Sequence, residues 1–153
     1  MNKADQDMYE EVRKRAENYF KQDYNCAQAV ALSNLELLGG QTSSIMQLAV
    51  GFAHGMSAGC TCGALVGGVM AISTMLAGPE TKGFDSEITE AVASLHREFV
   101  NMFGTACCRG LRKKLSPTKN KKCREITAKT AVLTLELLLA RKASSAPVRV
   151  QLL

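Results

Sequence analysis

Apolar residues recur every three or four positions near the start of the chain, at Met8, Val12, Ala16, Tyr19 and Phe20, with charged side chains between them. That period puts them on one stripe of a helix over about residues 4–21. A second apolar segment runs from about Cys26 to Leu38 and stops at Gly39-Gly40, a C-terminal signal because glycine takes the left-handed conformation at little cost. Ser43 or Ser44 can cap a third helix to about His54. Glycines then open a loop, and a fourth helix follows from about Thr61 to Leu76, closed by Gly78-Pro79. Asp85 or Ser86 can cap a fifth, ending near Gly104, with Ile88, Val92, Leu95, Phe99 and Phe103 on one face. A sixth, from about Lys121 to Arg141, carries Ile126, Leu133, Leu137 and Leu138. The pattern predicts an all-α, single-domain bundle of about five to six helices over residues 1–141, with a flexible tail over 142–153. No strand pair, P-loop or dinucleotide fingerprint interrupts it.

From Leu37 to Pro79 the chain has no Asp, Glu, Lys or Arg, so a membrane span has to be weighed. Gln41, Gln47, His54, Ser57 and the dense glycines argue against one, as does the lack of aromatic or basic anchors at the ends of the apolar piece. A buried central helix is the expected reading, with no membrane partner. The hydrophobic content of 46% suits a globular domain. Aromatics at 5% without tryptophan argue against stacking platforms for single-stranded nucleic acid, so no nucleic-acid partner is expected. A net charge of +5 permits an anionic partner without requiring one. The N-terminal segment lacks the apolar core of a signal peptide, which predicts a cytoplasmic location.

That location changes how six cysteines are read, because a reducing compartment disfavours a disulfide scaffold. In "YNCAQAV", Asn25 can cap a helix starting at Cys26; in "CTCGALVGG", Thr61 can cap one starting at Cys62. Unpaired amides in a first helical turn favour an anion and so lower a thiol pKa. Cys107 and Cys108 follow the Gly104 stop, and Cys123 lies near the next helix start. The loop between carries Arg109, Arg112, Lys113, Lys114, Lys119, Lys121 and Lys122 with no acid, either a solvated basic loop or a device that stabilises thiolates or an acidic partner.

Four thiolates suit zinc, but C-x-C followed by C-C matches no zinc ribbon or finger. Thiolates from separate helix ends equally fit an iron–sulfur cluster. Haem attachment would need C-x-x-C-H, which is absent. Gly59, Gly63 and Gly67 make sense where a ligand or a neighbouring backbone must come close. Glycine at four-residue spacing also permits close helix–helix contact, and with it a homodimer. His54 borders the glycine loop without a partner motif, His96 is expected to be exposed, and Met46, Met56, Met70 and Met75 read as core filler. No hydrolase constellation is present, and no substrate is specified.

"YNCAQAV", "GMSAGCTCGALVGG", "CRGL" and a later lone cysteine together resemble the C_GCAxxG_C_C family of redox-active proteins over about Tyr24 to Ala140. The resemblance implies that Cys26, Cys62, Cys108 and Cys123 form the metal or redox site. Cys60 and Cys107 stand as additional thiols beside it. A similar domain of split-Soret-type cytochromes points to an iron–sulfur site over zinc. The expectation is a redox-active or metal-binding protein in which these four cysteines converge, served by a redox partner protein. The alternatives are a metal-free thiol–disulfide oxidoreductase or sensor using Cys60/Cys62 or Cys107/Cys108, and a structural helical module with buried cysteines.

Overall fold

Three helix starts are marked by a side chain that satisfies amides the helix cannot. Asn2 accepts from the Asp5 amide at 2.8 Å to open α1 (Lys3–Lys21). Asn25 opens α2 (Cys26–Leu38) with a full capping box: its side chain takes the Gln28 amide while the Gln28 side chain takes the Asn25 amide. Asp85 accepts from the Ile88 amide at 3.0 Å and opens α5 (Ser86–Phe103), which ends at a left-handed Gly104. The computed structural model describes residues 1–112 and 119–144. Within them lie four further helices, α3 (Ile45–Ala49), α4 (Gly63–Leu76), α6 (Cys108–Arg112) and α7 (Lys119–Ser144). The described residues contain no strand; one isolated antiparallel bridge joins Thr61 and Cys107.

The bundle is built around α2 and α7. From Ala27 to Leu35 every residue of α2 is buried, because α1, α4 and α7 cover it on different sides. The long α7 packs against α1, α2, α4 and α5. Its buried Thr127, Thr130 and Thr134 satisfy their hydroxyls on carbonyls one turn back, at 2.7, 2.7 and 2.8 Å, so they enter the core without stranded donors. Phe99, Leu35, Ile72, Leu95 and Leu135 are the bulkiest of the wholly enclosed side chains. A satellite cluster forms where Ile45 and Ala49 of α3 meet Ala31, Leu32 and Leu35 of α2 and Ala71 of α4.

Glycine sets the distance between α2 and α4. A Cβ on Gly67 would land on the Ala27 carbonyl oxygen and sit 3.0 Å from both Ala27 Cα and Val30 Cβ. The glycine face is thus occupied by this chain's own α2. Gly68, on the other side of α4, makes room for Leu95 of α5 and Thr134 of α7, each 2.7 Å from where its Cβ would lie.

Several boundaries differ from the sequence pattern. The third helix ends at Ala49, not His54: a short 3-10 turn, Val50–Phe52, follows, and the backbone leaves helical space at Ala53 (φ −56°, ψ 140°). The fourth begins at Gly63, two residues late, because Cys62 itself occupies the cap position assigned to Thr61. The five-residue α6 was not anticipated, being too short to show a period. Lys142–Ser144, expected in the tail, continue α7; 145–153 lie outside the described residues. Met70 and Met75 pack against the core, whereas Met46 and Met56 are exposed and fill nothing. His96 is exposed, as expected. Among the described residues, no helix is long and apolar enough to cross a membrane.

Candidate redox site

The capping box places Cys26 at the first position of α2. The Asn25 side chain also donates to the carbonyls of Ala49 and Val50, at 3.1 and 3.2 Å, and ties the end of α3 to the same point. Cys62 is held differently. Its amide donates to the Ala106 carbonyl at 2.8 Å, and the Cys108 amide donates to the Cys60 carbonyl at 2.5 Å. These two bonds flank the Thr61–Cys107 bridge and form a clasp joining residues 60–62 to 106–108. The clasp brings the start of α4 beside the start of α6, although the residues are far apart in sequence.

The chain enters the clasp through a left-handed turn: φ is +54° at His54, +62° at Gly55, +60° at Met56, +56° at Ser57 and +66° at Gly59. Three of these are not glycine, and each costs roughly 1 kcal/mol or more. At Gly55 a side chain is barred altogether, since a Cβ would lie 2.6 Å from the Cys60 amide nitrogen and 2.7 Å from Cys108 Cβ.

Cys26, Cys62, Cys108 and Cys123 line one cavity of about 480 Å³, with Tyr24, His54, Leu111 and Arg112 among its walls. Four separate elements therefore deliver the four thiols: α2, the cap of α4, α6 and α7. Cys62 and Cys108 are buried, and Cys26 and Cys123 are partly so. Cys60 and Cys107 are exposed and do not line the cavity. The clasp thus divides each close-spaced pair, Cys60/Cys62 and Cys107/Cys108, into one enclosed and one solvent-facing thiol.

The electrostatics single out Cys62. Its pKa is held down to about 7, first by the hydrogen bond from the Cys26 thiol and then, against the opposing effect of burial, by the helix-start amides of Ala64 and Leu65. The same hydrogen bond pushes the Cys26 thiol well up, with burial and the neighbouring Cys62 charge adding to it. Burial also raises Cys108 and Cys123, and the Cys62 charge raises them further; the Arg112 guanidinium works the other way on both. The site holds one preferred thiolate, one thiol donating to it, and two thiols held back by enclosure.

Of the glycines expected at the site, only Gly63 touches it. A Cβ there would collide with the Cys26 sulfur and lie 3.0 Å from the Phe52 carbonyl oxygen. Gly59 instead makes room for Arg109, whose Cβ and Nε would each lie 3.1 Å away, and Gly67 for the α2 backbone. Sequence reasoning gave no firm place at the site to Arg112 or His54, which both line it. Arg112 was one cation of a basic run, and His54 a histidine without a motif; their side chains meet at 3.4 Å at the cavity wall. Only the nearby Cys108 gave a hint of Arg112, since a helical i, i+4 spacing puts the two on one face.

Among the described residues, no three His, Cys, Asp or Glu side chains are grouped tightly enough to ligate one metal ion. A single tetrahedral ion draws its four sulfurs to within about 4 Å of each other.

The described residues form an all-α bundle in which four cysteines line one cavity. Residues 24–137 match the family described as "Putative redox-active protein (C_GCAxxG_C_C)", and the chain belongs to that family. No match was found among curated proteins or among solved structures.

Proposed function

We propose that the protein is an electron-transfer protein whose Cys26, Cys62, Cys108 and Cys123 together hold an iron–sulfur cluster. The observation that carries this reading is the convergence of four thiols from four elements on one cavity of about 480 Å³. Bound there, the cluster would supply one-electron chemistry at a potential set by its surroundings. The chain's own groups have defined tasks. Cys62 enters as the thiolate, since the amides of Ala64 and Leu65 and the Cys26 thiol already favour its charge. Arg112 offsets negative charge at Cys108 and Cys123. Leu111 and Ile126 limit water at the wall. Such a site would operate in a reducing, cytoplasmic setting with a redox partner protein; zinc fits less well, because a single ion needs a tighter sulfur group.

One observation favours a second reading, a metal-free dithiol centred on Cys62 and Cys26. A thiolate with pKa about 7 next to a hydrogen-bonded thiol is the arrangement in which a nucleophilic and a resolving cysteine cooperate. Anaerobic purification with iron and sulfide analysis and an absorption spectrum separates the two. Iron and sulfide in stoichiometric amount, lost when Cys123 is changed to Ser, support the cluster. Reconstituted protein without iron or sulfide, in which one oxidant equivalent removes the Cys26 and Cys62 thiols together, overturns it in favour of the dithiol.

A further inference from the structure

The two thiols left outside the cavity have a relationship of their own. Thr61 and Cys107 are paired across the antiparallel bridge. Bridge partners stand about 5 Å apart and consecutive Cα atoms about 3.8 Å, and the Cys108–Cys60 backbone bond keeps the segments side by side, which puts the Cα atoms of Cys60 and Cys107 about 6 Å from each other. That lies inside the span of about 4.4–6.8 Å that a disulfide can bridge. In regular strands, residues offset by one across a pair point to opposite faces, and the two sulfurs would be kept apart. Cys60 escapes this rule because its backbone (φ −84°, ψ −132°) is not that of a strand. Its sulfur lies 4.0 Å from the hydroxyl of Thr61, the bridge partner of Cys107. The Cys107 sulfur in turn donates to the Gly59 carbonyl at 3.3 Å, the residue next to Cys60. Both thiols are free and exposed.

We infer that Cys60 and Cys107 form a second, solvent-facing dithiol, which small-molecule or protein disulfides oxidise by exchange to a disulfide across the clasp. The thiolate of one cysteine attacks a sulfur of the incoming disulfide, forms a mixed disulfide and releases one thiol. The other cysteine then displaces the second thiol from the mixed disulfide. The protein gives up two electrons and two protons as one sulfur–sulfur bond forms, and the incoming disulfide becomes two thiols. Closing this bond fastens the clasp covalently at the point where Cys62 and Cys108 are positioned. It consumes none of the four cavity thiols.

The test is equilibration of the reduced full-length protein in mixtures of glutathione and oxidised glutathione, followed by blocking of free thiols with N-ethylmaleimide and proteolysis without reductant. Fragmentation of the linked peptides is required, because Cys60 shares a tryptic peptide with Cys26 and Cys62, and Cys107 with Cys108. The expected result is a Cys60–Cys107 link, two fewer free thiols per chain, and full reversal by dithiothreitol. In Cys60→Ser the link disappears and Cys107 retains glutathione instead. Iron content, measured in parallel, should be the same in Cys60→Ser as in the unaltered chain, so this result stands apart from the fate of the cluster. Recovery of both cysteines as maleimide adducts in the most oxidising mixture overturns the inference. So do links from Cys60 to Cys62 or from Cys107 to Cys108, separate glutathione adducts on both residues, or a bond between two chains.

Discussion

Replacing Gly67 with Ala sets a known gain against a geometric penalty. In an exposed helix the change should stabilise by about 1 kcal/mol, since alanine has the better propensity. Here the new methyl meets the Ala27 carbonyl oxygen, Ala27 Cα and Val30 Cβ, the last two at 3.0 Å. Unstrained carbon contacts need about 3.5 Å, so α4 must retreat from α2 by at least about 0.5 Å. Two of those three atoms belong to a helix backbone, and no rotamer change can move them. The cost therefore falls at or beyond the top of the usual overpacking range, about 3–4 kcal/mol. Subtracting the propensity gain leaves a loss of about 2–3 kcal/mol, which for a chain of this size lowers Tm by about 4–12 °C. Thermal and urea unfolding followed by circular dichroism measure it, with Gly51→Ala as the control. No atom lies within 4 Å of a Cβ at Gly51, and that variant should stay within about 0.5 kcal/mol of the parent. A Gly67→Ala protein as stable as the parent, or more so, would refute the claim that α2 and α4 touch backbone to backbone at this point.

Four further outcomes follow from the site. In metal-free protein, the alkylation rate of Cys62 should rise about tenfold per pH unit up to about pH 7 and level off above it, because rate follows the thiolate fraction; burial lowers the whole curve without moving its midpoint, and a midpoint near 9 would sink the argument. Cys26→Ala removes the donor that favours the Cys62 thiolate and should shift that midpoint upward, as mass spectrometry of the alkylated peptides would show. Arg112→Gln should move Cys108 and Cys123 to still higher pH while leaving Cys62 in place, since the guanidinium opposes burial at the first two only; an unchanged pair of profiles counts against that role. Gly63→Ala should disturb the Cys26–Cys62 contact more than global stability, read as an upward shift of the Cys62 midpoint with a modest change in Tm.

The helical class and most boundaries were legible because capping side chains and glycine stops act locally: Asn25 with Gln28, Asp85 and Gly104 do in the fold what their types suggest. The clasp was not legible. It depends on two backbone hydrogen bonds between segments more than forty residues apart, and backbone groups leave no mark in a sequence. For the same reason C-x-C and C-C could not reveal which thiol of each pair faces inward. Cys62 shows the limit most clearly. Its position at a helix start was expected, but its depressed pKa owes more to the Cys26 thiol, a partner supplied by tertiary packing, than to the local amides. Left-handed Met56 and Ser57 are further from sequence rules still, because nothing in those residue types asks for positive φ.

The backbone contact at Gly67 has a mechanical meaning for the cavity. With α2 and α4 seated on each other and Gly63 against the Cys26 sulfur, neither helix can slide or rotate without a collision. Cys26 and Cys62 therefore act as a fixed jaw. Cys123 is carried by α7, whose buried threonines and leucines anchor it in the core. Cys108 rides on a five-residue helix held to its neighbour by the clasp, and under the proposed cluster reading a change in the size of the occupant is taken up there. On that reading Cys108 is the adjustable contact, and the other three thiols set the gauge to which it must fit.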